Sequence, residues 1–136
     1  LKFHMFLLIR KKKNYENKIL QNLKKYKITF ICLAGYMKII SEQILNNFKN
    51  KIINIHPSLL PKFKGLNTFS KVLKNEEIVS GCTVHFVNKK LDDGKIILKK
   101  KFYLDKKENE STMKNKTQVL EHKAYPEAII KIFRYR

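Results

Sequence analysis

The chain lacks most of the features that assign a protein to a class at sight. Its two cysteines, Cys32 and Cys82, make no disulfide framework. Both sit in strand-like runs, which predicts buried free thiols in a reducing compartment. Glycine occurs four times and first at Gly35, so no glycine-rich phosphate cradle at a helix N-terminus can be read ahead of it. No apolar run reaches the length of a membrane span; Met5-Phe6-Leu7-Leu8-Ile9 is only strand-sized. Arg10-Lys11-Lys12-Lys13 follows that run without the small-residue cleavage site of a secretion signal, and a cytoplasmic protein without a membrane partner is expected. Acidic side chains are scarce, 11 against 30 Lys and Arg, for a formal charge of +19. The imbalance invites a nucleic-acid reading, but the lysines are spread through the chain and no zinc-ligand or RNA-binding signature accompanies them. They describe a solvated surface whose positive field would still attract anionic small molecules. No nucleic-acid partner is expected, and no His, Cys or carboxylate cluster has metal-ligand spacing.

What is present reads as one α/β domain over residues 1–136. Phe3 to Ile9 is a buried strand by composition. Residues 15–26 then place Tyr15, Ile19, Leu20, Leu23 and Tyr26 on one helix face. Ile28 to Ala34 is a continuous apolar run suited to a central parallel strand. Ser41 can cap a short helix that turns Ile44, Leu45 and Phe48 inward. Lys51 to Ile55 is the next strand, and this strand–helix rhythm implies a parallel sheet with right-handed crossovers. Further on, Asn67 or Thr68 can start a helix with Phe69, Val72 and Leu73 buried. Residues 82–87 and 95–104 read as two strands joined through Asn88–Gly94, in effect a hairpin. After the polar loop Asp105–Glu110 the pattern is helical, with Met113, Leu120, Ile129, Ile130 and Phe133 as core candidates and Pro126 as a kink or break.

The most informative stretch is Ile52-Ile53-Asn54-Ile55-His56-Pro57-Ser58-Leu59-Leu60-Pro61. A short apolar strand breaks at His56-Pro57 into a loop bounded by a second proline. Residues two apart on a strand point to one side, so Asn54 and His56 leave the strand end together. A carboxamide beside an imidazole can grip a carbonyl oxygen and move a proton. Taken alone, such a pair more often only satisfies loop backbone. Asp92, before Asp93-Gly94, reads equally well as a turn-forming residue. Glu121 reads as an ordinary exposed helix glutamate. His85 alternates with Cys82, Val84 and Phe86 and is read as structural or as a pocket wall.

The run around His56 resembles the signature of the folate-dependent formyltransferases, in particular their purine-synthesis branch. Upstream, Leu33-Ala34-Gly35-Tyr36-Met37-Lys38-Ile39-Ile40 is similar to that family's folate-side strand and loop. Downstream, Gly65-Leu66-Asn67-Thr68, Gly81-Cys82-Thr83-Val84-His85-Phe86-Val87, Leu91-Asp92-Asp93-Gly94 and Glu121-His122-Lys123-Ala124-Tyr125-Pro126 follow in the family's order. Methionyl-tRNA formyltransferases and formyltetrahydrofolate deformylases share the Asn-x-His strand end and the later Asp. The Pro after His56 and the Gly-Leu-Asn-Thr and Glu-His…Tyr-Pro blocks favour the purine branch.

The resemblance implies a Rossmann-like formyltransferase fold: a mainly parallel sheet with helices on both faces and antiparallel strands at one side. It implies formyl transfer from 10-formyltetrahydrofolate, a co-substrate, to the amine of glycinamide ribonucleotide, without a metal. Such a reaction passes through a tetrahedral centre with a developing oxyanion. Asn54 would hydrogen-bond the formyl oxygen, His56 would stabilise that oxygen and assist proton traffic, and Asp92 would favour the charged imidazole and order a water. Met37, Lys38, Ile39 and Ile40, with Asn54, would line the folate site, and Glu121 would bind the nucleotide's ribose. The family's phosphate-holding loop has no counterpart here, so the resemblance implies a domain truncated at its N-terminus. A non-catalytic remnant is the competing expectation.

Overall fold

The computed structural model of the chain describes residues 15–36 and 38–134. The expected strand Phe3–Ile9 lies outside the described residues, as does Met37. Among the described residues, four helices and four strands follow in the order α1 (Tyr15–Lys25), β1 (Ile31–Leu33), α2 (Glu42–Asn47), β2 (Ile52–His56), α3 (Thr68–Lys74), β3 (Val79–Phe86), β4 (Ile96–Tyr103) and α4 (Glu110–Arg134). The sheet runs β1-β2-β3-β4. β1 pairs parallel to β2, while β2–β3 and β3–β4 are antiparallel. The described sheet is therefore mixed, with its antiparallel strands gathered at one side as expected. Of the parallel part only the β1–β2 pairing falls within the described residues.

Adjacent residues of β2 point to opposite faces, and each face has its own core. Ile52 joins Leu20 and Leu23 of α1 with Ile40, Ile44, Leu45 and Phe48 around α2. Ile53 and Ile55 join Cys82 and Val84 of β3 with Ala124, Ala128 and Ile132 of α4. Helices thus cover both faces. Ser41 caps α2 as its sequence suggests, accepting from the Ile44 amide.

Several expectations fail in detail, each for a visible reason. β1 is only three residues long because the chain before it is spent closing α1. Lys27 adopts a left-handed conformation (φ 50°), its amide bonds the Lys24 carbonyl at 3.0 Å, and the Ile28 amide bonds the Leu23 carbonyl at 2.9 Å. This is a Schellman closure with lysine where glycine is usual. Tyr26 consequently falls past the helix and is exposed. Cys32 is exposed on the short β1, against expectation, while Cys82 is buried. Phe69 and Leu73 are only half-buried; Thr68 and Val72 fill the core from α3. On α4, Ile130 and Phe133 are exposed, and the small residues Ala124 and Ala128 face the sheet instead. A close helix–sheet approach favours small side chains there, and a search for large apolar residues misses them. Pro126 does not interrupt α4; it lies on the exposed side of a helix already held by its buried neighbours.

Candidate active-site cleft

β2 delivers Asn54 and His56 to the α1/α2 face of the sheet, opposite His85 and Thr83 of β3 respectively. The loop after His56 is tied down by two buried hydroxyls. Thr83 Oγ1 donates to the Ser58 carbonyl at 2.7 Å and accepts from the Leu60 amide at 3.0 Å. Ser58 Oγ in turn donates to the Lys62 carbonyl at 2.7 Å. This folding-back brings the Phe63 carbonyl to 2.8 Å from His56 Nε2. A carbonyl only accepts, so Nε2 carries a proton.

On its other side, His56 Nδ1 lies 3.4 Å from Asp92 Oδ2, both side chains being almost fully buried. Asp92 sits in the β3–β4 connection with φ 47°, a left-handed conformation that Asp tolerates better than most residues. Two glycines shape its surroundings. The Gly65 amide donates to Asp92 Oδ2 at 2.8 Å from a backbone of φ 78°. At Gly94 a Cβ would fall 1.6 Å from the Phe86 carbonyl oxygen, so only glycine lets the turn close this tightly onto β3. Lys64 pairs with Asp93 and clips the same two segments together outside the site.

The cleft that opens beside these groups encloses about 420 Å³, its solvent-filled mouth included. Leu33, Tyr36, Ile40 and Val87 form apolar walls, Asn54, His85 and Asp92 present polar groups, and Lys38, Lys89 and Lys90 add positive charge. The Asn54 Oδ1 and His85 Nε2 atoms are buried without a hydrogen-bond partner. Burial holds the His85 imidazole below its ordinary pKa, against the opposing pull of the Phe86 carbonyl and the Asp92 carboxylate.

Asn54, His56 and Asp92 are thus brought together, but not equivalently. Asn54 and Asp92 line the cleft; His56 stands behind Asp92 with both ring nitrogens engaged and is not part of the lining. Of the expected folate-side residues, Lys38, Ile39 and Ile40 line the cleft. Glu121 does not. It lies on α4, across the sheet, half-buried near Cys82, and burial raises its carboxyl pKa. Sequence reasoning missed Thr83, Ser58 and the Phe63 carbonyl as the framework of His56. The β2–β3 register carries that information, because it sets Thr83 beside His56 and His85 beside Asn54.

Comparison with known proteins follows the same lines. A family model described as formyl transferase matches residues 4–129. The phosphoribosylglycinamide formyltransferase of Bacillus subtilis is 38% identical over 133 residues, covering 93% of this chain and 68% of that protein. The trifunctional purine biosynthetic protein adenosine-3 of Homo sapiens is 39% identical over 107 residues, 79% of this chain and 11% of that protein. A crystal structure of phosphoribosylglycinamide formyltransferase from Bacillus halodurans superposes with a TM-score of 0.84 at 35% identity, covering 91% of this chain and 64% of that one. The chain therefore spans about two thirds of the monofunctional relatives and a small part of the trifunctional one.

Proposed function

The chain belongs to the formyl transferase family, and we propose that its protein transfers a formyl group from 10-formyltetrahydrofolate to the amine of glycinamide ribonucleotide, in purine biosynthesis. Residues 1–136 then form part of a single formyltransferase domain. The observation that carries this reading is the convergence of the Asn54 amide and the Asp92 carboxylate on one cleft, with His56 3.4 Å behind Asp92. The cleft suits a folate: apolar walls to cover a flat ring, and a buried, unpartnered Asn54 oxygen to meet a polar edge.

Chemically, the amine nitrogen bonds to the formyl carbon, the bond from that carbon to the folate nitrogen breaks, and one proton passes from the amine to the folate nitrogen. Asn54 donates from its amide to the formyl oxygen as negative charge grows there. Asp92 is the group that touches both cleft and imidazole, so it orders the proton's path, and His56 supports it from behind. Lys38, Ile39 and Ile40 of the cleft lining would meet the folate, and the resemblance adds Met37 to them. Glu121, across the sheet, belongs to the nucleotide's ribose contact rather than to the cleft itself.

Calorimetry with a folate analogue on the folded chain, followed by steady-state formyl-transfer assays beside the Bacillus subtilis relative, tests this reading. Binding of the analogue that is lost on replacing Asn54 with Asp is expected. A folded chain with no affinity for the folate at all would overturn it.

A further inference from the structure

Asp92 has a second imidazole partner that the proposed reaction does not use. His85 Nε2 lies 3.6 Å from Asp92 Oδ1, while Oδ2 faces His56 Nδ1 at 3.4 Å. The carboxylate is thus spanned by two buried rings, one at each oxygen. The two rings are bonded alike on their far sides, His56 Nε2 to the Phe63 carbonyl and His85 Nδ1 to the Phe86 carbonyl, and differ in that His85 borders the cleft while His56 does not. His85 Nδ1 is 2.8 Å from the Phe86 carbonyl, an acceptor, which requires the proton on Nδ1. With its one proton spent there, a neutral ring meets Asp92 with a lone pair on Nε2. Two acceptors 3.6 Å apart repel unless a donor lies between them or beside them. The Nε2 atom is itself buried and has no protein donor, and His85 is among the residues that line the cleft.

We propose that His85 is a positioning residue: with its Nδ1 proton held by the Phe86 carbonyl, it offers Nε2 to a donor shared with Asp92 Oδ1 and so keeps Oδ2 turned towards His56. The donor is an O–H or N–H group, from water or from a ligand in the cleft. The alternative arrangement, a doubly protonated His85, would pair with Oδ1 as an ion and need no shared donor. The groups that face His85 divide on this point. Asp92 favours the charged ring, whereas His56 and Lys64 and the loss of solvent disfavour it, with burial the largest effect. Lys38, Lys89 and Lys90 on the cleft lining add to the positive side. The proposal rests on the formyltransferase reading only for its consequence in catalysis; the arrangement of protons is a property of the chain alone.

The test is imidazole ¹⁵N–¹H correlation spectroscopy on the ¹⁵N-labelled 136-residue chain, with the rings assigned by His56→Gln and His85→Gln. His85 is expected as the neutral, Nδ1-protonated form at pH 7 and still so at pH 6.5, the ordinary histidine value. A doubly protonated His85 at pH 7, or one protonated on Nε2 alone, overturns the proposal. A second comparison reads the positioning itself. In His85→Leu the Asp92 carboxylate loses its neighbour at Oδ1, while the Gly65 amide and His56 remain at Oδ2, and the His56 Nδ1 resonance should move from its wild-type position. His85→Gln returns an amide oxygen near Nε2 and should bring that resonance back. An unmoved His56 signal in folded His85→Leu also overturns the proposal; if that variant does not fold, the wild-type protonation pattern decides alone. None of these readings requires formyl transfer, so a chain without transferase activity can still pass or fail them.

Discussion

Asn54 and His56 stand two positions apart on one strand and have different work. Asn54 reaches the cleft, while His56 is enclosed by the Phe63 carbonyl and Asp92. A role exercised through Asp92 means that loss of the imidazole should appear in turnover and leave folate affinity nearly intact. In a chain with measurable activity, His56→Ala is expected to lower kcat by roughly 10²–10⁴-fold, the usual contribution of an acid–base group, with little change in KM for the folate. Steady-state kinetics across pH would check it, and near-wild-type turnover in a folded variant would remove His56 from the chemistry. The pairing of Asn54 with His56 was legible from the period of a strand, and the resemblance added Asp92. The asymmetry between them was not legible. It depends on where a carbonyl seven residues beyond His56 folds back, and no local pattern reports that.

At the scale of elements, the glycine-poor composition has a direct structural cost. α1 and α3 both end in Schellman closures, with Lys27 (φ 50°) and Glu76 (φ 51°) in the left-handed position. The pattern repeats bond for bond: Glu76 N to Leu73 O at 3.1 Å and Glu77 N to Val72 O at 3.3 Å close α3 as Lys27 and Ile28 close α1. A residue with a Cβ is disfavoured there by about 1 kcal/mol relative to glycine. Lys27→Gly and Glu76→Gly are therefore each expected to stabilise the fold by up to about 1 kcal/mol, additively because the sites are far apart in the chain. Urea denaturation of the single and double variants measures this, and a loss of stability in both would contradict it. The same closures explain why helix and strand identities were readable while their bounds were not. Helices came from apolar spacing, and the hairpin β3–β4 from two β-rich runs around Asn88–Gly94. A helix stop written with lysine instead of glycine gives no signal, so the strand after it was drawn too long. On α4 the buried face is marked by alanines, which periodicity weighs lightly against the isoleucine and phenylalanine that remain outside.

For the whole molecule, 30 basic against 11 acidic side chains set a self-repulsion that the ion pairs offset only at their own positions. Each lysine–carboxylate pair among the described residues, such as Lys89–Glu42, has at least one exposed side chain, where a pair contributes little. Salt screens repulsion beyond about 10 Å at 0.1 M, so the melting temperature should rise as sodium chloride is raised from low concentration towards about 0.3 M. Thermal unfolding at fixed pH checks this; a falling melting temperature would mean that the pairs outweigh the net charge. One contact ties the described molecule together across most of its length. The Tyr125 hydroxyl, on α4, donates to the Leu33 carbonyl at 2.6 Å and lies 3.3 Å from that of Ile53, spanning 92 and 72 residues of chain. Ala124 and Ala128, to either side of it, complete the second core. Contacts so distant in sequence form late, after the entropy of closing the intervening loop has been lost. During synthesis the contact of Tyr125 with β1 and β2 must therefore wait for α4 to leave the ribosome, and a nascent chain stalled before Tyr125 holds that face of the strand pair open to whatever chaperone, or neighbouring chain, meets it first.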